Sequence, residues 1–163
     1  MLQTRELFDS LASRADHLDN QTLATTADAL SSCELAVTAC AVGMLAEKEA
    51  DELRTAINRD LNCADVASAT RRVLTRGTDA DPALLTAQLE ACAIACEQSH
   101  ELCVRHAPQH EHCRICSEAT NRAASACREV MRSLRAQLAG PGAPVTRAVR
   151  SVARDPANCP DGL

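Results

Sequence analysis

Aromatic side chains are nearly missing from this sequence: Phe8 is the one phenylalanine, and tryptophan and tyrosine are absent. That removes the stacking platform on which single-strand nucleic-acid binders depend. No run of Lys or Arg covers a helix face before the C-terminal tail, and the formal net charge is −5. Binding of nucleic acid by phosphate neutralisation is therefore not expected. Glycine is scarce, with 5 in 163 residues, and no Gly-rich phosphate loop, HExxH or Ser-His-Asp cue is present, so no enzyme chemistry is expected. No uninterrupted apolar run reaches the ~20 residues that span a bilayer. The opening MLQTRELFDS has acids where a signal peptide has its apolar centre, which reads as a cytoplasmic chain with no membrane partner.

What remains is rich in alanine, leucine, glutamate and arginine, the composition of a helical protein with a narrow core of small side chains. Ten cysteines stand out against that background. The cytosol keeps thiols reduced, which weakens a disulfide reading. Within one helix, cysteines seven apart are separated by ~10.5 Å along the axis, too far for a bridge.

Helical spacing divides the chain into an all-α, up-down-up-down four-helix bundle with a short extra N-terminal helix over residues 2–19. The first bundle helix is expected from Leu23 to Ala46, after N-cap chemistry at Asn20-Gln21-Thr22. A break near Glu47–Ala50 leads to the second, from Asp51 to Arg76. Gly77-Thr78-Asp79-Ala80-Asp81-Pro82 is a stop and restart, with Asp as N-cap and Pro at the first helical position. The third helix then runs to about His106, and the fourth from about Gln109 to Leu138. The domain comprises residues 1–139, and residues 140–163 form a Gly/Pro linker and flexible tail carrying Cys159, outside any core stripe.

The cysteines fall in register. Cys33 and Cys40 are seven apart, Cys92, Cys96 and Cys103 are spaced by four and seven, and Cys113, Cys116 and Cys127 by three and eleven. Each set lies on one helical face, and Cys63 is the second bundle helix's only cysteine. Counting back from the turns places Cys103 and Cys113 shallowest, then Cys40 and Cys116, then Cys96, Cys33, Cys63 and Cys92, with Cys127 deepest. His106 and His110 extend the thiol faces toward the same end, whereas His112 is assigned to another side of its helix. A thiol-lined channel with imidazoles near its mouth suits Cu(I), a soft d10 ion that accepts two or three thiolates without a demanding geometry. A single zinc site at Cys92, Cys96, Cys113 and Cys116 is the competing metal reading. Cys92 lies about eight residues deeper than Cys116 by this count, a mismatch of depth that weighs against the zinc site and equally against an iron–sulfur cluster there. A bundle whose cysteines only pack is the bland one. A di-iron carboxylate site needs two Glu-x-x-His motifs, and only Glu97–His100 fits. Glu111, Glu118 and Glu129 read as exposed helix charges.

LNCADV (residues 61–66), CAIACEQSHELC (92–103) and HEHCRICSEATNRAASAC (110–127) resemble the cysteine-rich four-helix-bundle copper-storage proteins, over roughly residues 20–138. The resemblance implies a homotetramer of bundles that stores or detoxifies copper ions as Cu(I). The positions matching its ligands are Cys63, Cys92, Cys96, Cys103, Cys113, Cys116 and Cys127, together with Cys33 and Cys40. His106, His110 or His112 would serve near the channel mouth. This chain departs where a full member continues the thiol stripe, at Val37, Ala67, Ser99, Thr120 and Ala123, which implies a reduced capacity.

Overall fold

Small side chains at every third or fourth position let the helices of this chain approach closely, and the computed structural model shows how they assemble. It describes residues 4–11, 18–48, 50–76 and 81–138. They form α1 (Thr4–Leu11), α2 (Asn20–Leu45), α3 (Arg54–Thr75), α4 (Pro82–His106) and α5 (Glu111–Leu138). The last four make the expected bundle, in which α2 packs on α3 and α5, and α4 on α5 and α3. Short α1 lies along α2 and contributes the buried ring of Phe8 to the common core.

Helix boundaries follow local chemistry. Asp19, rather than Asn20-Gln21-Thr22, caps α2: its carboxylate accepts from the Thr22 amide at 3.0 Å, and Asn20 is already helical. Asp81 accepts from the Ala83 amide at 2.8 Å and Pro82 occupies the first turn of α4, as expected. Gly77 to Ala80, His17 and the whole of 139–163, Cys159 included, lie outside the described residues. α3 starts at Arg54, three residues later than expected, with Leu53 at its N-cap and no side-chain acceptor there. At the other end of α4 the His106 carbonyl accepts from the amides of Gln109 and His110, turning the chain into α5.

The buried face of α2 runs Leu23, Ala27, Leu30, Cys33, Val37, Cys40 and Met44, an alternation of three and four that defines a bundle seam. By length and composition α2 is also apolar enough to cross a membrane, with a mean hydropathy of 1.3 in its best window, although no uninterrupted apolar run stands out in it. The seam of α3 is Ala56, Asp60, Cys63, Ala67, Thr70 and Leu74. A carboxylate thus occupies a core position in register with a cysteine. Val37, Ala67, Ser99, Thr120 and Ala123 are all fully buried, so the sites where the thiol stripe is interrupted do face the interior.

Candidate metal centre

Cys33, Cys40, Cys63, Cys92, Cys96, Cys103, Cys113, Cys116 and Cys127 are fully buried and unbridged. They converge in groups drawn from different helices. In the inner group Cys33 of α2, Cys63 of α3 and Cys96 of α4 form a triangle with Sγ–Sγ separations of 3.8, 3.8 and 3.6 Å. Cys92 and Cys127 continue this group deeper, within hydrogen-bonding reach of each other, and Cys92 also reaches Cys96. In the outer group Cys40 lies 3.9 Å from Cys103 and 3.8 Å from Cys113, and Cys103 lies 3.3 Å from Cys116. This order follows the depth expected from counting residues back from the turns. The four cysteines of the zinc reading are dispersed: Cys96 sits in the inner triangle, Cys113 against Cys40, and Cys116 against Cys103.

Asp60 stands with the outer group and was not recognised in the sequence. Its carboxylate is fully buried. Oδ1 accepts from the Ser99 hydroxyl at 2.6 Å, and Oδ2 lies 3.7 Å from the Sγ atoms of both Cys103 and Cys116. Burial, with the nearby Cys103 sulfur, pushes its pKa up to about 7. One signal was available: Asp60 is three residues before Cys63 and falls on the seam, whereas Arg59 beside it does not.

The imidazoles lie differently from expectation. His112 was assigned to another side of α5, yet its Nδ1 is 3.4 Å from Cys40 Sγ and 3.5 Å from Cys113 Sγ. Space for the ring comes from Gly43 on α2, where an added Cβ would stand 3.0 Å from the ring carbons. His110 and His112 stack with centroids 5.3 Å apart. Glu47 Oε1 bridges them, 3.1 Å from His110 Nδ1 and 3.4 Å from His112 Nε2. His106 is half-buried and joins none of the metal-ligating groupings among the described residues. His100 bonds through Nδ1 to the Ser117 carbonyl at 2.8 Å. Glu111 and Glu118 pair with Arg114 on the surface, and Glu129 pairs with Arg132.

Packed thiols cannot all ionise together. Cys33 is held well below the usual thiol range by the S–H groups of Cys63 and Cys96, and Cys92 likewise by those of Cys127 and Cys96. Cys116 is lowered by donation from Cys103 and Cys40. Their partners move the other way: donation to Cys116 pushes Cys103 up to about 11, and burial pushes Cys113 up to about 11. The lowered thiols, Cys33 and Cys92 in the inner group and Cys116 in the outer one, each sit among S–H donors, a soft, electron-rich interior suited to a thiophilic cation.

Comparison with known proteins agrees with that chemistry. The sequence profile of the copper storage protein family matches residues 19–132. The copper storage protein Ccsp of Streptomyces lividans, loaded with 10 copper equivalents, is 35% identical with a TM-score of 0.78 over 80% of this chain and 98% of that one. The same organism's cytosolic copper storage protein, in a five-copper form, is 39% identical with a TM-score of 0.67 over 69% and 93%. No curated protein sequence matches. By bundle, buried thiols and profile together, the chain belongs to the copper storage protein family.

Proposed function

We propose that the bundle stores copper in the cytosol as Cu(I), held by the nine core thiolates without a catalytic step. The observation that carries this reading is the convergence of sulfurs from separate helices at 3.3–3.9 Å, where a single soft ion reaches two or three of them. Family membership and the copper-loaded, cytosolic Streptomyces lividans relatives support the cargo and the compartment.

Each thiol that binds must lose its proton. Because Cys103 and Cys113 titrate near 11, copper uptake releases protons and weakens in acid. The His110–His112–Glu47 group sits beside Cys40 and Cys113, next to the α4–α5 turn. That end is the natural place to receive an ion, with His112 Nδ1 handing it to the first two sulfurs.

The working unit is a homo-oligomer, a tetramer as in the family resemblance. Leu35, Val42 and Leu45 support this: they are 74, 63 and 60% exposed and follow one another at seven and three residues on the outer side of α2. Such a stripe is suited to a helix from a second copy.

Titration of reduced, metal-free protein with Cu(I) against a competing chelator tests the reading. Several tightly held equivalents are expected, and no tight binding overturns it.

A further inference from the structure

Asp60 has no part in holding Cu(I) through sulfur. A soft monovalent ion gains little from a hard carboxylate oxygen, and burying that oxygen costs free energy. Yet Asp60 is fully buried in a group with Cys40, Cys103 and Cys116. The four ligand atoms, one from each residue, all lie within 4.8 Å of one another.

We infer that Cys40, Asp60, Cys103 and Cys116 form a closed, four-coordinate site for a divalent ion of the zinc type. The dimensions agree. Zn–S bonds of about 2.3 Å and Zn–O bonds of about 2.0–2.2 Å make a tetrahedron with S–S edges near 3.8 Å and S–O edges near 3.5 Å. The corresponding separations are 3.9 Å (Cys40–Cys103), 3.7 Å from Asp60 Oδ2 to each of Cys103 and Cys116, and 3.3 Å (Cys103–Cys116), an edge that opens by about 0.5 Å on binding, while Cys40 lies within 4.8 Å of Cys116 and of Asp60. Ser99 holds the carboxylate through Oδ1, which also lies 3.6 Å from Cys103 Sγ, while Oδ2 lies between Cys103 and Cys116; the serine is placed as an outer-shell partner of a metal ligand is. Binding exchanges up to three S–H protons and the carboxyl proton for the ion, with no change of oxidation state. No fifth position is needed, so the site is of structural type.

The inference concerns the copper-free protein: Cys40, Cys103 and Cys116 are also among the thiols assigned to Cu(I), so copper loading and the divalent ion exclude one another at these three sulfurs. The test is titration of the reduced, metal-free, full-length chain with Co2+, a visible reporter of tetrahedral coordination, followed by displacement with Zn2+. About one equivalent should give intense tetrahedral d–d bands with thiolate-to-metal charge transfer, and Zn2+ should bleach them. Asp60→Ala should weaken binding by at least ~10-fold, and Ser99→Ala by ~10- to 100-fold, while helix content by circular dichroism is unchanged. Asp60→Cys should retain the site with stronger charge transfer, which keeps the test decisive should the alanine variant misfold. His100→Ala, which removes an imidazole bonded to the Ser117 carbonyl and outside the four ligands, should leave the affinity unchanged. Absence of tetrahedral Co2+ bands in the wild type overturns the inference. So does an Asp60→Ala protein that binds Co2+ as the wild type does, since the ion would then rest on other thiols. Full Cu(I) loading without Co2+ binding overturns this inference alone.

Discussion

Asp60 is the residue whose chemistry is furthest from its surroundings. A carboxyl with a folded-state pKa of about 7 against an ordinary 3.8 binds more protons in the folded than in the unfolded chain between those values. The contribution of Asp60 to the stability of the metal-free protein is therefore full below about pH 4 and is lost progressively as the pH rises to about 7, by on the order of 4 kcal/mol. Urea unfolding at pH 4.5 and pH 7.5 should show that fall, and Asp60→Asn should flatten it. An unchanged slope in the variant would place the titration elsewhere. Asp60 escaped notice in the sequence because a charged residue next to Arg59 resembles a solvated face, and only its register with Cys63 and Ala67 gives it away. The cysteines were legible for the opposite reason: their spacing is unlike that of packing residues, and all nine described are buried.

At the scale of the helix, the seams were readable from periodicity, and Asp81-Pro82 marked the start of α4 by cap chemistry alone. The place of His112 was not readable. It depends on Gly43 of a different helix leaving a gap that the ring fills, and no periodicity within α5 encodes that. Gly43→Ala should raise helix stability by as much as ~1 kcal/mol through propensity while pushing the imidazole away from Cys40 and Cys113. Thermal unfolding and the His112 side-chain NMR resonances check the two halves separately; a loss of stability with unmoved resonances would contradict this packing. Val37 lies on the α2 seam between Cys33 of the inner group and Cys40 of the outer one, and Ser99 lies between Cys96 and Cys103 in the same way. Val37→Cys should therefore join the two groups and add roughly one Cu(I), since each ion needs two or three thiolates. Chelator-competition stoichiometry measures the gain, and an unchanged stoichiometry would show that the two groups do not communicate through this layer.

For the molecule as a whole, the bundle architecture followed from helix lengths and short connections, whereas assembly depends on surfaces that a lone chain leaves open. Leu35, Val42 and Leu45 should lie in a contact between copies. Sedimentation velocity is expected to show an oligomer, and Leu35→Glu with Val42→Glu should shift it toward monomer with helix content retained. A wild-type monomer at micromolar concentration would remove the assembly proposal and leave the core untouched. Storage itself rests on the interior sulfurs acting as the ligands. Copper K-edge X-ray absorption of the fully loaded protein addresses that point most directly: core storage predicts a Cu(I) edge with a first shell of two to three sulfurs per ion. A first shell dominated by nitrogen or oxygen, or a Cu(II) edge under reducing conditions, would contradict it.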